Sequence, residues 1–478
     1  MAYEFERKQR IAVLGGGPGG YEAALAAAQL GAEVTLVERT GVGGSAVLTD
    51  VVPSKSLIAT AEASNSIKEA ADLGVQFFAR DAKGKPLRPE VAINLAAVNK
   101  RLLRLARRQS EDMTSNLEDA GVRLVQGDGR LDGPNAVIVS TAREAGTDFD
   151  RIEADTIVVS VGASPRVLPT AVPDGERILT WTQLYGLKTV PEHLIVVGSG
   201  VTGAEFASAY RALGSSVTLI SSRDQVLPGE DVDAARVLEN AFRRNGMTVL
   251  SKSRAESVVR VGDGVVATLT DGRTVEGSHC LMAVGSVPNT PGIGLEEAGV
   301  QLTDGGYIRV NRVARTSIPN IYAAGDCTNF PPLASVASMQ GRTAIFHAMG
   351  DIVNPPEERN ITSNIFTQPE IATIGWTQKQ VEEGLVVGQV YKLPLASNPR
   401  AKMMNIKEGF VKLIASGSGT VIGGVIVAPK ASELILPLAL AVENRLTVDQ
   451  MAEAFPVYPS LSASISDAAR AMHIVDRG

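Results

Sequence analysis

The chain has 478 residues, a formal net charge of −6 and two cysteines. That length implies about three domains at roughly 150 residues each. The acidic balance excludes a nucleic-acid-binding surface, or an anionic-membrane surface held by a basic field. Met1 to Arg10 is charged and runs straight into a strand signal, without the apolar centre of a secretory signal. No apolar run approaches the about 18 residues of a spanning helix. A cytoplasmic protein without stable membrane insertion is expected.

Arg10 to Leu14 is a short β-branched and apolar run leading into Gly15-Gly16-Gly17-Pro18-Gly19-Gly20. An Ala-rich helix to Leu30 follows, then a strand from Glu33 to Val37 closed by Glu38. Strand, glycine turn, helix, strand and acid make a dinucleotide-binding βαβ unit. Gly15 permits the tight turn, Gly17 lets a pyrophosphate approach the backbone, and Gly20 brings helix and strand together. The helix N-terminus offers free N–H groups to the phosphates, and Glu38 accepts from ribose hydroxyls.

Downstream of Gly43-Gly44-Ser45-Ala46-Val47-Leu48-Thr49-Asp50-Val51-Val52-Pro53-Ser54-Lys55, a helix is expected from Leu57 to Leu73. A second, amphipathic helix from Val91 to Ala120 sets Leu102, Leu103, Leu105 and Ala106 against Arg101, Arg104, Arg107 and Arg108. The arginines read as a solvated face. Val122 to Gly127 and Ala136 to Ser140 read as strands, with turns at Asp128-Gly129 and at Asp132 to Asn135. Thr156 to Ala163 reads as a buried strand ending in glycine, at Gly162.

A second fingerprint follows: strand Leu194 to Val197, turn Gly198-Ser199-Gly200-Val201-Thr202-Gly203, helix Ala204 to Leu213. Two such units mean two nucleotide sites, and their natural occupants are FAD and NADPH or NADH. The strand Val217 to Ile220 ends in Ser221-Ser222-Arg223, with no acid to hold a free 2′-hydroxyl. Ser222 and Arg223 suit a 2′-phosphate, so NADPH is compatible; that Arg223 is only an exposed flanking residue stays open. Val265 to Leu269 and Leu281 to Val284 read as strands, the latter running into Gly285. Asn320 to Ala324 forms a strand tipped by Gly325 and Asp326.

With the C-terminal run from Phe366-Thr367-Gln368-Pro369-Glu370 to Pro459, these motifs resemble the flavoprotein disulfide reductases, which include lipoamide dehydrogenase and glutathione reductase. The resemblance extends from Ile11 to about Ala469. It implies an α/β fold: two Rossmann-like dinucleotide-binding domains plus a C-terminal α+β dimerisation domain, assembled as a homodimer. The implied divisions are residues 1–160 and 289–358 for FAD, 161–288 for NAD(P), and 359–478 for the interface. Asp326 then accepts from the flavin's ribityl hydroxyls, and Gly162 lies in the hinge between nucleotide domains. Gly44, Gly129, Gly285, Gly325 and Ala334 join the cofactor set. Lys55 is implied beside the flavin N5, paired with Glu205.

The same resemblance exposes two departures. The family's redox segment reads G-G-T-C, four residues, then C-I-P-S-K; here Ala46 and Val51 hold the cysteine slots, in register with Pro53-Ser54-Lys55. The family's proton-shuttling dyad reads H-P, three residues, then E; here the slots hold Tyr458 and Ala463. His193, His279, His347 and His473 all fall elsewhere and read as structural or exposed. Cys280 and Cys327 match no metal or C-x-x-C spacing and read as structural thiols. The implied enzyme is an FAD-dependent NAD(P)H dehydrogenase that lacks disulfide reduction and hands electrons to a diffusible, quinone-like small molecule. Lys55, Glu205 and Tyr458 are its candidate catalytic residues, Tyr458 as a hydrogen-bond donor. A soluble pyridine nucleotide transhydrogenase is the first alternative and a non-catalytic flavin-binding subunit the second.

Overall fold

The computed structural model describes residues 8–75, 79–80, 86–87, 91–143, 146–355 and 357–473. They form two compact units: Met1–Ser54, Lys100–Arg166 and Gly285–Pro356 make the first, and Lys55–Asn99, Val167–Val284 and Glu357–Gly478 the second.

The first unit is built on a parallel sheet ordered Ile321–Ala323, Thr156–Val159, Arg10–Leu14, Glu33–Glu38, Arg123–Gln126. Its inner strands are apolar and buried along most of their length because both faces are covered, whereas the edge strand Arg123–Gln126 is only partly buried. The period-2 alternation of strand side chains divides the first strand between two cores. Ile11 and Val13 pack with Ala23, Ala27, Ala344 and Ile345 of two helices, Pro18–Gln29 and Ala334–Ala348. Ala12 and Leu14 pack instead with Leu131, Val137, Val139 and Ile152 of an antiparallel sheet, Asp128–Leu131, Ala136–Arg143 and Gly146–Glu153. The two helices cross at glycines: a Cβ on Gly341 would stand 2.0 Å from the Gly19 carbonyl oxygen.

The second unit repeats the plan with the order Ile178–Leu179, His279–Met282, His193–Val197, Ser216–Ile220, Thr248–Leu250, all parallel. Helix Val201–Leu213 follows its central strand. The unit's C-terminal portion is a five-stranded antiparallel sheet ordered Ser363–Ile365, Glu370–Gly375, Val421–Ala428, Phe410–Ser416, Gly388–Pro394. Helices Leu436–Glu443 and Ala463–Ala471 pack on it through Leu438, Ala441, Ile465 and Ala468. Lys412, buried on that sheet, reaches Asp231 at 2.7 Å, Asp233 at 2.9 Å and Gln378 at 2.6 Å. Asp231 also caps helix Val232–Arg244 by accepting from the N–H groups of Asp233 and Ala234.

The fold class is as expected, with local corrections. Asp128-Gly129 is not a turn but the start of strand Asp128–Leu131. The helix expected from Leu57 begins at Val51 and runs to Glu69, with Gly44–Leu48 as a separate short helix before it. Pro53 explains the early start, since proline suits a first helical turn, where its missing N–H has no intrahelical partner to lose. The arginine helix spans Leu95–Asp119, with Leu102 and Ala106 buried and its four arginines exposed as expected.

Candidate active site

In the first glycine turn Gly15 holds φ +92°, and an added Cβ would meet the Ser160 carbonyl oxygen at 2.3 Å. A Cβ on Gly20 would meet the Gly15 oxygen at 1.9 Å, whereas one on Gly17 would meet nothing within 4 Å. Two glycines are thus required by the protein's own packing, and the third leaves a bare backbone facing open space. Gly44, at φ +55°, would place a Cβ 3.0 Å from the Gly17 Cα, so the Gly44–Leu48 helix begins against the turn. Helix Pro18–Gln29 has no side-chain cap, and neither has Ala334–Ala348, where Ala334 is the first residue. Uncapped N-termini keep their N–H groups for an anion.

The Glu38 carboxylate accepts from the Gly16 N–H at 2.7 Å and from the Thr40 N–H and hydroxyl at 2.8 and 2.9 Å. This fixes its direction at the strand end. Asp326 is half-buried and accepts no hydrogen bond from the described residues, and burial pushes its carboxyl above the usual carboxylate range. Gly325 is held beside it by the Gln340 side chain, 2.8 Å from the Gly325 N–H. A carboxylate that lacks donors is a site for hydroxyls to supply them. Gly162 and Gly285 hold φ of +68° and +90° with nothing within 4 Å, at the ends of the antiparallel pair Ala163–Pro165 and Ser286–Pro288. Gly129 differs: its Cβ would stand 2.6 Å from Leu14, so packing against the sheet accounts for the glycine.

The second turn reproduces the first. Gly198 holds φ +109° against the Ala283 oxygen at 2.1 Å, a Cβ on Gly203 would meet the Gly198 oxygen at 1.9 Å, and Gly200 faces open space. Helix Val201–Leu213 is likewise uncapped by any side chain. Ser221 is buried and its hydroxyl lies 2.7 Å from that of Ser199. Ser222 and Arg223 are exposed just beyond.

Two residues in from Gly203, Glu205 is buried, and its Oε2 lies 2.7 Å from the Lys55 ammonium. Its Oε1 accepts from the Phe366 N–H at 2.9 Å. The Lys55 Nζ stands 4.8 Å above the centre of the Phe366 ring. The expected pair is therefore present, and a residue that sequence reasoning missed completes it. The sequence marks Phe366 only as the first residue of the C-terminal run, because its partners come from two helices distant in the chain. Tyr458 is 78% exposed, and no hydrogen bond joins it to Lys55 or Glu205. Ala46 is half-buried and Val51 exposed, two apolar side chains where a thiol pair was in question. The two thiols are elsewhere and buried; burial raises both, Cys327 to about 11. Such groups stay protonated and inert.

Two dinucleotide turns, a free half-buried carboxylate and a paired lysine define a two-nucleotide oxidoreductase of the disulfide reductase fold. A family model for pyridine nucleotide-disulphide oxidoreductases matches residues 9–341, and one for that family's dimerisation domain matches residues 361–469. The chain belongs to this family and is an oxidoreductase that uses FAD and NAD(P)H. It is 52% identical over 470 residues to a Mycobacterium tuberculosis protein named NAD(P)H dehydrogenase (quinone), covering 96% of this chain and 93% of that one. It is 32% identical over 466 residues to a dihydrolipoyl dehydrogenase of Bacillus subtilis, covering 96% and 95%. The crystal structure of LpdA from Mycobacterium tuberculosis superimposes with a TM-score of 0.90 at 49% identity, covering 98% of this chain and all of that one. Among the described residues no helix is long and apolar enough to cross a membrane.

Proposed function

We propose that this chain is an NAD(P)H dehydrogenase that delivers electrons to a quinone or similar diffusible acceptor and does not turn over disulfides. The observation that carries this reading is the pair Ala46 and Val51. The segment has no sulfur to relay electrons, and the chain's two thiols are buried elsewhere. The name of the 52%-identical relative supports the acceptor class.

FAD, when bound, supplies the two-electron relay between nicotinamide and acceptor. Gly15, Gly17, Gly20, Glu38, Gly44, Gly129, Gly162, Gly285, Gly325, Asp326 and Ala334 are proposed to hold it. Gly198, Gly200, Gly203, Ser222 and Arg223 are proposed to hold the nicotinamide nucleotide, with room for a 2′-phosphate. Lys55 contributes a partly buried cation that favours negative charge nearby, and Glu205 keeps that cation paired. Ala46 and Val51 offer an apolar wall for a flat ring. Tyr458 is proposed as a donor to the acceptor once a second copy is in place, and the homodimer is supported by the dimerisation-domain match and the exposure of Phe455, Val457 and Tyr458. The proposed divisions are residues 1–160 and 289–358 for FAD, 161–288 for NAD(P) and 359–478 for the interface. The cytoplasm, which holds the reduced nucleotides, is the proposed compartment.

The test is steady-state NADPH oxidation with a benzoquinone or naphthoquinone and, in parallel, with lipoamide or oxidised glutathione. Turnover with quinone alone is expected; robust turnover of either disulfide overturns the reading. Reduction of a nicotinamide analogue with no other acceptor present would instead identify a transhydrogenase.

A further inference from the structure

We propose that Phe366 is a positioning residue that fixes the direction of the Lys55 ammonium and of its Glu205 partner, so that the entry to the C-terminal region sets where the charge at the site lies. The proposal rests on the Lys55 role assigned above. Lys55, Glu205 and Phe366 close a triangle. The ammonium donates to Glu205 at 2.7 Å, Glu205 accepts the Phe366 N–H at 2.9 Å, and the Phe366 ring lies under the ammonium at 4.8 Å. One residue therefore acts on the pair twice, orienting the carboxylate by its backbone and the cation by its ring. The negative face of an aromatic ring attracts an ammonium that stands over it, most strongly where water is partly excluded. Glu205 faces Lys55, and Glu62, seven residues along the same helix, is engaged by Lys430 at 2.6 Å.

The strand of chain that carries Phe366 is itself tied to both helices. The Gln368 N–H donates to the Ser208 hydroxyl at 3.3 Å, and the Gln368 side chain accepts from Asn65. Asn65 lies on the Lys55 helix and Ser208 on the Glu205 helix. The segment Phe366 to Gln368 thus spans the two helices near the ion pair, and these bonds fix the backbone from which the ring projects.

The test follows the rate of Lys55 acylation in the holoenzyme at one fixed pH, read by mass spectrometry, alongside stopped-flow reduction of the flavin by NADPH. In Phe366→Leu acylation is expected to quicken by about two- to five-fold and flavin reduction to slow by a similar factor, with KM unchanged, and Phe366→Tyr restores both. Phe366→Met removes the ring with an unbranched side chain and gives the same changes should the leucine variant fold poorly. Unchanged acylation in correctly folded Leu and Met variants overturns the proposal. Acylation is independent of the acceptor, so disulfide turnover would sink the functional reading and leave this one standing.

Discussion

At the first glycine turn the Gly16 N–H donates to a carboxylate, Glu38, at 2.7 Å; at the second the same two positions carry Ser199 and Ser221, whose hydroxyls meet at 2.7 Å. The backbones correspond closely: Gly15 N–H reaches the Val37 oxygen at 2.8 Å, and Gly198 N–H reaches the Ile220 oxygen at 3.0 Å. The positions are coupled, because a Cβ on Gly16 would already lie 3.3 Å from the Glu38 oxygen. Where the acid is kept the turn stays glycine, and where the acid is lost a serine side chain fills the space. On the proposed assignment, phosphate is held by shared backbone and the sugar is recognised by one exchangeable pair.

The shared part breaks hardest. Gly203→Ala puts a Cβ 1.9 Å from the Gly198 oxygen, and Gly20→Ala does the same to Gly15. Neither backbone can yield without opening the strand–helix contact, at about 1–3 kcal/mol or more. Gly203→Ala is expected to raise the KM for NADPH by about 100-fold or more with the flavin retained. Gly20→Ala is expected to purify without FAD, read from the visible absorbance.

Next come the glutamates two residues beyond each third glycine. Glu22 is half-exposed, while Glu205 is buried against Lys55. Glu205→Gln leaves a partly buried ammonium without its counter-charge and is expected to slow flavin reduction by about 10- to 100-fold in stopped flow. Glu22→Gln is expected to leave the rate within about two-fold, as surface changes do. Equal effects would show that the two helices do not divide their work in this way.

Both turns and both helices were legible in the sequence, because spacing along a strand, turn and helix dictates local geometry, whereas the Lys55–Glu205 pair, 150 residues apart, came from the family resemblance. The role of Phe366 was not legible, since its contacts join segments more than 150 residues apart and no local pattern encodes them. Asp128-Gly129 misled for the opposite reason. The dipeptide is a strong turn signal, yet Gly129 is glycine because Leu14 and Val37 leave no room for a side chain. The helical form of Val51 to Lys55 was missed because the β-branched pair Val51-Val52 favours strand locally.

Sugar recognition gives a smaller effect and a sharper one. Ser221→Glu alone would set a carboxylate against the Ser199 side chain; with Ser199→Gly added, the arrangement of the first turn is rebuilt. The double variant is expected to lower the ratio of kcat/KM for NADPH to that for NADH by about ten-fold or more, through repulsion of the 2′-phosphate. Arg223→Ala is expected to cost NADPH a few-fold and NADH nothing. If both nucleotides respond alike, Ser222 and Arg223 do not meet the phosphate.

The opposite ends of the two central strands differ as well, and there the difference is in acid sensitivity. The first strand begins with Arg10, paired to Asp155 at 3.2 Å. The second begins with His193, beside the buried His279, whose Nδ1 lies 3.0 Å from the Ser278 hydroxyl and whose Nε2 lies 3.2 Å from Arg177. Burial, followed by the Arg177 charge, lowers His279 to about 4, and burial lowers His193 in the same direction. A histidine depressed in the folded state binds fewer protons there than in the unfolded chain. Its stabilising contribution is present above about pH 6.5 and is lost as pH falls toward 4. At pH 5 this amounts to about 1–2 kcal/mol for His279. His279→Asn, which keeps a polar group beside Ser278 but cannot take up the proton, is expected to flatten the fall in denaturation midpoint between pH 7 and 5. An unchanged slope would place the acid sensitivity outside this edge of the second sheet.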